Sequence, residues 1–181
     1  MKKALLILSM VVSCLIVSAQ EHLSFMDIPL DLTRTEFEQQ MQNVGFTPDD
    51  ETNEQSLPLG GEFFDGTFYG HEAIAIVNFN VNTELVYGAS VLMEEEDLEA
   101  AQSHYQEMKD LLDEKYLIDK YDTNHQESKK NGFYYYNLVI VPKDGDAFSS
   151  GIGVIQLEIT TQGESIVLSL TFQDWINSKK N

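Results

Sequence analysis

A chain of 181 residues with 30 acidic against 11 basic side chains carries a net charge of −19. Such a field repels phosphate backbones and anionic lipid headgroups, which argues against nucleic-acid binding and against a peripheral membrane role. The single cysteine, Cys14, lies in the opening segment, so the rest of the chain has no disulfide, thiol nucleophile or thiolate metal site and relies on packing for stability.

Residues 1–19 read as a secretory signal peptide. Lys2 and Lys3 precede an apolar run from Ala4 to Val17, and Val17-Ser18-Ala19 offers the small residues that signal peptidase requires. The run is shorter than the roughly 20 residues that span a bilayer. Polar Gln20, Glu21 and His22 follow it, so no transmembrane anchor is expected. Val11-Val12-Ser13-Cys14 has the outline of a lipobox, which would put a lipid anchor at Cys14. Hydrophobic Leu15-Ile16-Val17 stand where a polar tether belongs, and this disfavours lipidation. Removing the signal takes away both lysines and no acid, leaving residues 20–181 as a single domain with a charge of about −21. At that length folding buries roughly 68–70% of the unfolded chain's surface, enough for a core without staples.

After a short segment from His22 to Leu32, Thr33-Arg34-Thr35-Glu36 forms a capping box and starts a helix whose stripe is Phe37, Met41 and Val44, stopped at Gly45. Thr47 to Pro58, rich in acids and amides, reads as a loop. Three strands follow, Glu62–Tyr69, Ala73–Val81 and Glu84–Met93, with connections short enough for an antiparallel meander. Asp97–Lys115 returns to helical spacing with Leu98, Ala101, Tyr105, Met108, Leu111 and Leu112 on one face, and Glu94 to Asp97 sit at its positive dipole end. Tyr116–Tyr121 is expected as a strand and Asp122–Asn131 as a polar loop. Strands Phe133–Val141, Ile152–Thr161 and Ser165–Phe172 complete the set, before a tail in which Trp175 folds back. On the last strand Ile166, Leu168, Leu170 and Phe172 alternate with Ser165, Val167, Ser169 and Thr171, as a sheet covered by helices on one side requires. The whole is an α+β fold, two helices packed on one face of an antiparallel sheet. It reads as two successive helix-plus-meander units without a residue-level repeat.

No catalytic motif emerges. His22, His71, His104 and His125 lie on separate segments without paired spacing and read as surface histidines; no metal site and no cofactor are expected. Lys143-Asp144-Gly145-Asp146 lacks the ligand ladder of a calcium loop, and Ser149-Ser150-Gly151-Ile152-Gly153 is neither a nucleophile elbow nor a dinucleotide loop. The positive signal is aromatic. Phe68, Tyr87, Tyr134, Tyr135 and Tyr136 are the candidate binding residues, because tyrosine offers large contact area at low entropic cost and consecutive strand residues cannot all face the core.

The order of elements resembles that of secreted or periplasmic bacterial proteins such as beta-lactamase inhibitor protein and the small outer-membrane assembly lipoproteins. Phe25-Met26-Asp27-Ile28-Pro29-Leu30-Asp31-Leu32-Thr33, with Phe37 and Gly45-Phe46, is similar to the opening of secreted bacterial domains of unknown function. The resemblance implies helices on one sheet face and a partner protein on the other; it carries over no inhibitory residue. The expectation is therefore an exported protein, periplasmic or secreted, acting as a non-enzymatic binding domain toward an envelope protein. The alternative is a small hydrolase that uses a carboxylate pair.

Overall fold

The computed structural model describes residues 22–116, 121–130, 133–142, 151–162 and 164–178. Residues 1–21 with Cys14, Lys143–Asp146 and Ser149-Ser150 lie outside them. The fold is α+β. A hairpin of β1 (Ser24–Phe25) and β2 (Ile28–Pro29) leads into helix α1 (Arg34–Asn43), then β3 (Thr47–Pro48), α2 (Asp50–Ser56) and a 3-10 turn (Leu57–Leu59). Strands β4 (Gly61–Phe68), β5 (His71–Phe79) and β6 (Val86–Glu95) precede helix α3 (Leu98–Tyr116). The chain closes with β7 (Tyr121–Lys130), β8 (Phe133–Pro142), β9 (Gly153–Gln162), β10 (Ser165–Asp174) and the short α4 (Trp175–Ser178).

One sheet of eight strands has the order β3-β4-β5-β6-β10-β9-β8-β7, with every neighbouring pair antiparallel. Each helix-plus-meander unit thus ends at the middle of the sheet, where β6 pairs with β10 from Ile166↔Glu95 to Gln173↔Gly88. The alternation read from the last strand holds. Leu168, Leu170 and Phe172 are buried on the helix side beside Met93, Val91 and Ala89 of β6. Val167 and Ser169, on the other face at the centre of the sheet, are buried as well.

The capping box forms as the sequence requires, with the Glu36 amide donating to Thr33 Oγ1 at 3.4 Å and the Thr33 amide donating to Glu36 Oε2 at 3.1 Å. The Thr33 hydroxyl also donates to Glu36 Oε2 at 2.7 Å, and this bond, ahead of the one from the Thr33 amide, holds the Glu36 carboxyl below its ordinary pKa. Phe37 and Met41 enter the core but Val44 is exposed at the C-cap, and Phe46 takes its place by lying over Gly66. A Cβ at Gly66 would stand 2.5 Å from the Phe46 ring, so only glycine permits this approach. In α3, Ala101, Tyr105, Met108 and Leu112 are buried while Leu111 is on the surface.

Two expected loops are regular structure. Within Thr47–Pro58, Asp49 caps α2 by accepting from the Thr52 amide at 3.1 Å, and buried Asn53 accepts from the Phe63 amide at 2.7 Å and donates to the Phe63 carbonyl at 3.0 Å. Asp122–Asn131, expected as a loop, is occupied through Lys130 by β7, an edge strand paired with β8 from Tyr121↔Pro142 to Lys130↔Phe133. Tyr116, expected to open a strand, ends α3, and residues 117–120 lie outside the described residues.

The tail does fold back. Asp174, fully buried, accepts from His22 Nδ1 at 3.0 Å and from the amides of Leu23, Ile176 and Asn177 at 3.1, 2.9 and 3.0 Å. Asn177 Nδ2 donates to the carbonyls of Leu30 and Val86 at 2.7 and 3.1 Å. This latch fixes the β1–β2 hairpin against the sheet, which sets one wall of the cleft described next.

Candidate functional site: an aromatic cleft beside helix α3

Two tight turns stand at the same end of the molecule. Met26 and Asp27 link β1 to β2 with φ of 51° and 63°, and Tyr69 and Gly70 link β4 to β5 with φ of 48° and 88°. Two-residue connections with both central residues at positive φ match the right-handed twist of the flanking strands. Asn, Asp and Gly adopt this conformation cheaply; Met26 and Tyr69 do not. Between these turns and the C-terminal half of α3 opens a cleft of about 570 Å³, within the range of small-molecule and side-chain pockets.

The floor is aromatic. Phe25 stacks on Phe68 with ring centroids 6.3 Å apart and meets Phe172 edge-on at 5.7 Å, while Leu170 continues the apolar surface. Met108, Leu111 and Leu112 of α3 form the wall. At the lips, Tyr69 is 67% and Leu111 42% exposed, and Tyr69 leans edge-on against Phe68 at 4.7 Å. Lys115 Nζ bridges the far rim to Asp27 Oδ1 at 3.0 Å, the polar fringe around an otherwise apolar opening.

The residues singled out from the sequence divide among four places. Phe68, only 5% exposed, belongs to the cleft floor. Tyr134 and Tyr136 project to the helix side: the Tyr134 ring lies 5.0 Å from that of Tyr105, and Tyr136, 1% exposed, donates to Asp113 Oδ1 at 2.6 Å beneath Lys109. Their work is to seat α3 on β8, and they share no face with Tyr135. Tyr135 lies half-buried on the opposite face, its hydroxyl accepting from Gln156 Nε2 at 3.0 Å. Tyr87, half-buried, sits where the β5–β6 register shifts. That opposite face also carries a groove of about 580 Å³ bordered by Asp65, Glu72 and Glu94.

Two of the histidines, His71 and His104, are not isolated surface groups. His71, at the start of β5, and His104, on α3, have ring centroids 4.0 Å apart, and His104 Nδ1 lies 2.9 and 3.1 Å from the two oxygens of buried Glu95. Of the acidic run before α3, Asp97 does cap the helix, accepting from the Ala100 amide at 2.8 Å, whereas Glu95 turns inward to this pair. Among the described residues no group of three or more His, Cys, Asp or Glu side chains converges to hold a metal ion, and no helix is long and apolar enough to cross a membrane.

A separate buried acid lies under α1. Glu62, 3% exposed, accepts from Arg34 Nη1 at 3.0 Å through Oε1, and its Oε2 has no hydrogen-bond partner among the described residues. Burial pushes its carboxyl up to about 7; Arg34 opposes the rise and Glu38 adds to it. The chain matches no family model, no curated protein and no solved structure, so the cleft and its chemistry rest on this molecule's own geometry.

Proposed function

We propose that the protein is an exported, non-enzymatic binding domain of the bacterial envelope, and that it receives an apolar anchor of a partner protein in the cleft beside α3. The observation that carries this reading is Tyr69. A large aromatic residue stands two-thirds exposed at positive φ on the lip of an aromatic-floored cleft, where asparagine or glycine would suit the turn better. Fold stability does not account for that choice, and an aromatic lip beside a preformed apolar pocket is the arrangement that anchors partner side chains. The acidic exterior adds a preference for a partner with a basic rim.

A photo-crosslinking residue placed at position 69 in the producing cell tests this. The expected result is one predominant crosslinked partner in the envelope fraction, whose purified form binds the wild type and binds Leu111→Glu at least about tenfold more weakly, the scale of an interface hot spot. Crosslinking from position 135 and not from position 69 would transfer the binding role to the opposite sheet face and refute the cleft.

A further inference from the structure

The His71–His104 pair is unexplained by the fold or by the cleft. The two imidazoles stand 33 positions apart in sequence, and their ring centroids meet at 4.0 Å with the planes inclined by 54°. Glu95 receives His104 Nδ1 through both carboxylate oxygens. A carboxylate accepts only, so Nδ1 carries a proton, and Nε2 is the nitrogen that turns away from Glu95 and would take a metal ion. A buried carboxylate that accepts the far N–H of an imidazole is what fixes tautomer and orientation in metal-binding histidines and raises their donor strength. Both rings are partly exposed, which leaves a path for an ion.

We infer that His71 and His104 form an open, exchangeable site for a divalent transition metal of the zinc class, with His104 oriented by Glu95. Imidazole nitrogen is a preferred donor for these ions, and a chain of net charge −19 concentrates cations at its surface. Two protein ligands leave the remaining coordination positions to water, unlike a closed structural site with four. Metal–nitrogen bonds of about 2.0–2.1 Å ask the rings to open by roughly an ångström from their present contact, within reach of side-chain rotation. Occupancy ties α3 to the β4–β5 turn: His71 follows Tyr69 by two residues and His104 precedes Met108 by one helical turn. The ion would thereby brace the end of the cleft, although the site stands whether or not the cleft binds a partner.

Zinc ion titrated into the metal-free protein, followed by calorimetry and by NMR of the imidazole ring protons, tests the assignment. Expected are a single saturable site and shifts confined to His71 and His104, with His22 and His125 unmoved. His71→Ala and His104→Gln should abolish saturable binding, and Glu95→Gln should weaken it by about 10–100-fold. Zinc should also raise the unfolding midpoint of the wild type but not of His71→Ala. The wild-type ring-proton shifts decide the matter even if a variant folds poorly. Uptake that is non-saturable, that survives both histidine substitutions, or that leaves the His71 and His104 resonances in place would overturn the inference by assigning zinc to the surface carboxylates.

Discussion

Glu62→Gln separates the effect of one buried acid from that of the many acids on the surface. In the folded protein the Glu62 carboxyl titrates at about 7, raised chiefly by burial from an ordinary value of 4.5, which the unfolded chain recovers. Between these values the folded state holds a proton that the unfolded state has released, so stability from this group is full below the unfolded pKa. It is lost as pH rises through the folded pKa. At 1.36 kcal/mol per unit the ceiling is about 3 kcal/mol. Arg34, Glu62's partner, is a quarter exposed, and the solvent that enters beside it relieves part of the desolvation behind the rise, which reduces the figure to about 1–2 kcal/mol. Urea unfolding of wild type and Glu62→Gln at about pH 5 and about pH 8 reads it directly. Near pH 5 the two proteins should be about equally stable, because a protonated carboxyl and an amide are close in shape. Near pH 8 the variant should be the more stable by about 1–2 kcal/mol, because glutamine spares the fold a buried charge with one unpartnered oxygen. All other acids contribute alike to both proteins and cancel in the comparison. Parallel pH dependences, or a variant that loses stability near pH 8, would show that Arg34 fully compensates Glu62 and that burial does not govern its ionisation.

Asp174→Ala removes the acceptor for three backbone amides and His22 in a fully buried position; it should cost about 3–5 kcal/mol in urea unfolding and release the β1–β2 hairpin to faster amide exchange. Tyr69→Asn relieves a positive-φ position that asparagine tolerates, so it should leave stability unchanged or raise it by about 0.5–1 kcal/mol while weakening partner binding at the cleft; a parallel loss of stability would refute the functional account of this tyrosine. Gly153→Ala would set a Cβ 2.2 Å from the Gln173 carbonyl oxygen and 2.6 Å from Leu23 Cδ1, and a cost of about 1–3 kcal/mol is expected from thermal unfolding.

What the sequence makes legible is what local chemistry determines. Thr33 and Glu36 can satisfy each other's amides without reference to the rest of the chain, and the stripe of α3 and the two-residue alternation of β10 follow from the periods of helix and strand. The α2 segment escaped because seven residues are too few to show a helical period, and its anchor, Asn53 bonded to Phe63, is a contact across the chain. Its signal was the capping spacing of Asp49 and Thr52. Strand β7 is polar throughout and paired on one side only, so its strand character resides in main-chain bonding that side-chain pattern does not encode. Alternation alone announces that Tyr135 must face away from Tyr134 and Tyr136, but not which side the helix takes. The cleft and the histidine pair were least accessible, since each gathers residues from the β4–β5 turn and α3, and the cleft adds β1 and β10. The Tyr69-Gly70 dipeptide between two strands was the one local hint, because a primed turn presents its first residue outward.

The consecutive tyrosines then acquire a different meaning for the proposed binding role. Tyr134 and Tyr136 hold α3 from the β8 side, through the Tyr105 ring and through Asp113 with Lys109, while the cleft opens along another side of the same helix. Replacing these tyrosines by alanine would therefore shift the cleft wall and weaken binding without either residue touching a partner. Tyr136→Phe is the cleaner perturbation. It keeps the ring in the core and removes only the hydroxyl that donates to Asp113, which retains Lys109 at 3.2 Å, so a cost of about 1 kcal/mol in stability is expected. If binding follows the cleft, Tyr136→Phe should leave partner affinity nearly intact while Leu111→Glu, on the exposed lip of the same helix, reduces it. The reverse order of effects would mean that the partner reads the position of α3 as a whole and not the aromatic floor beside it.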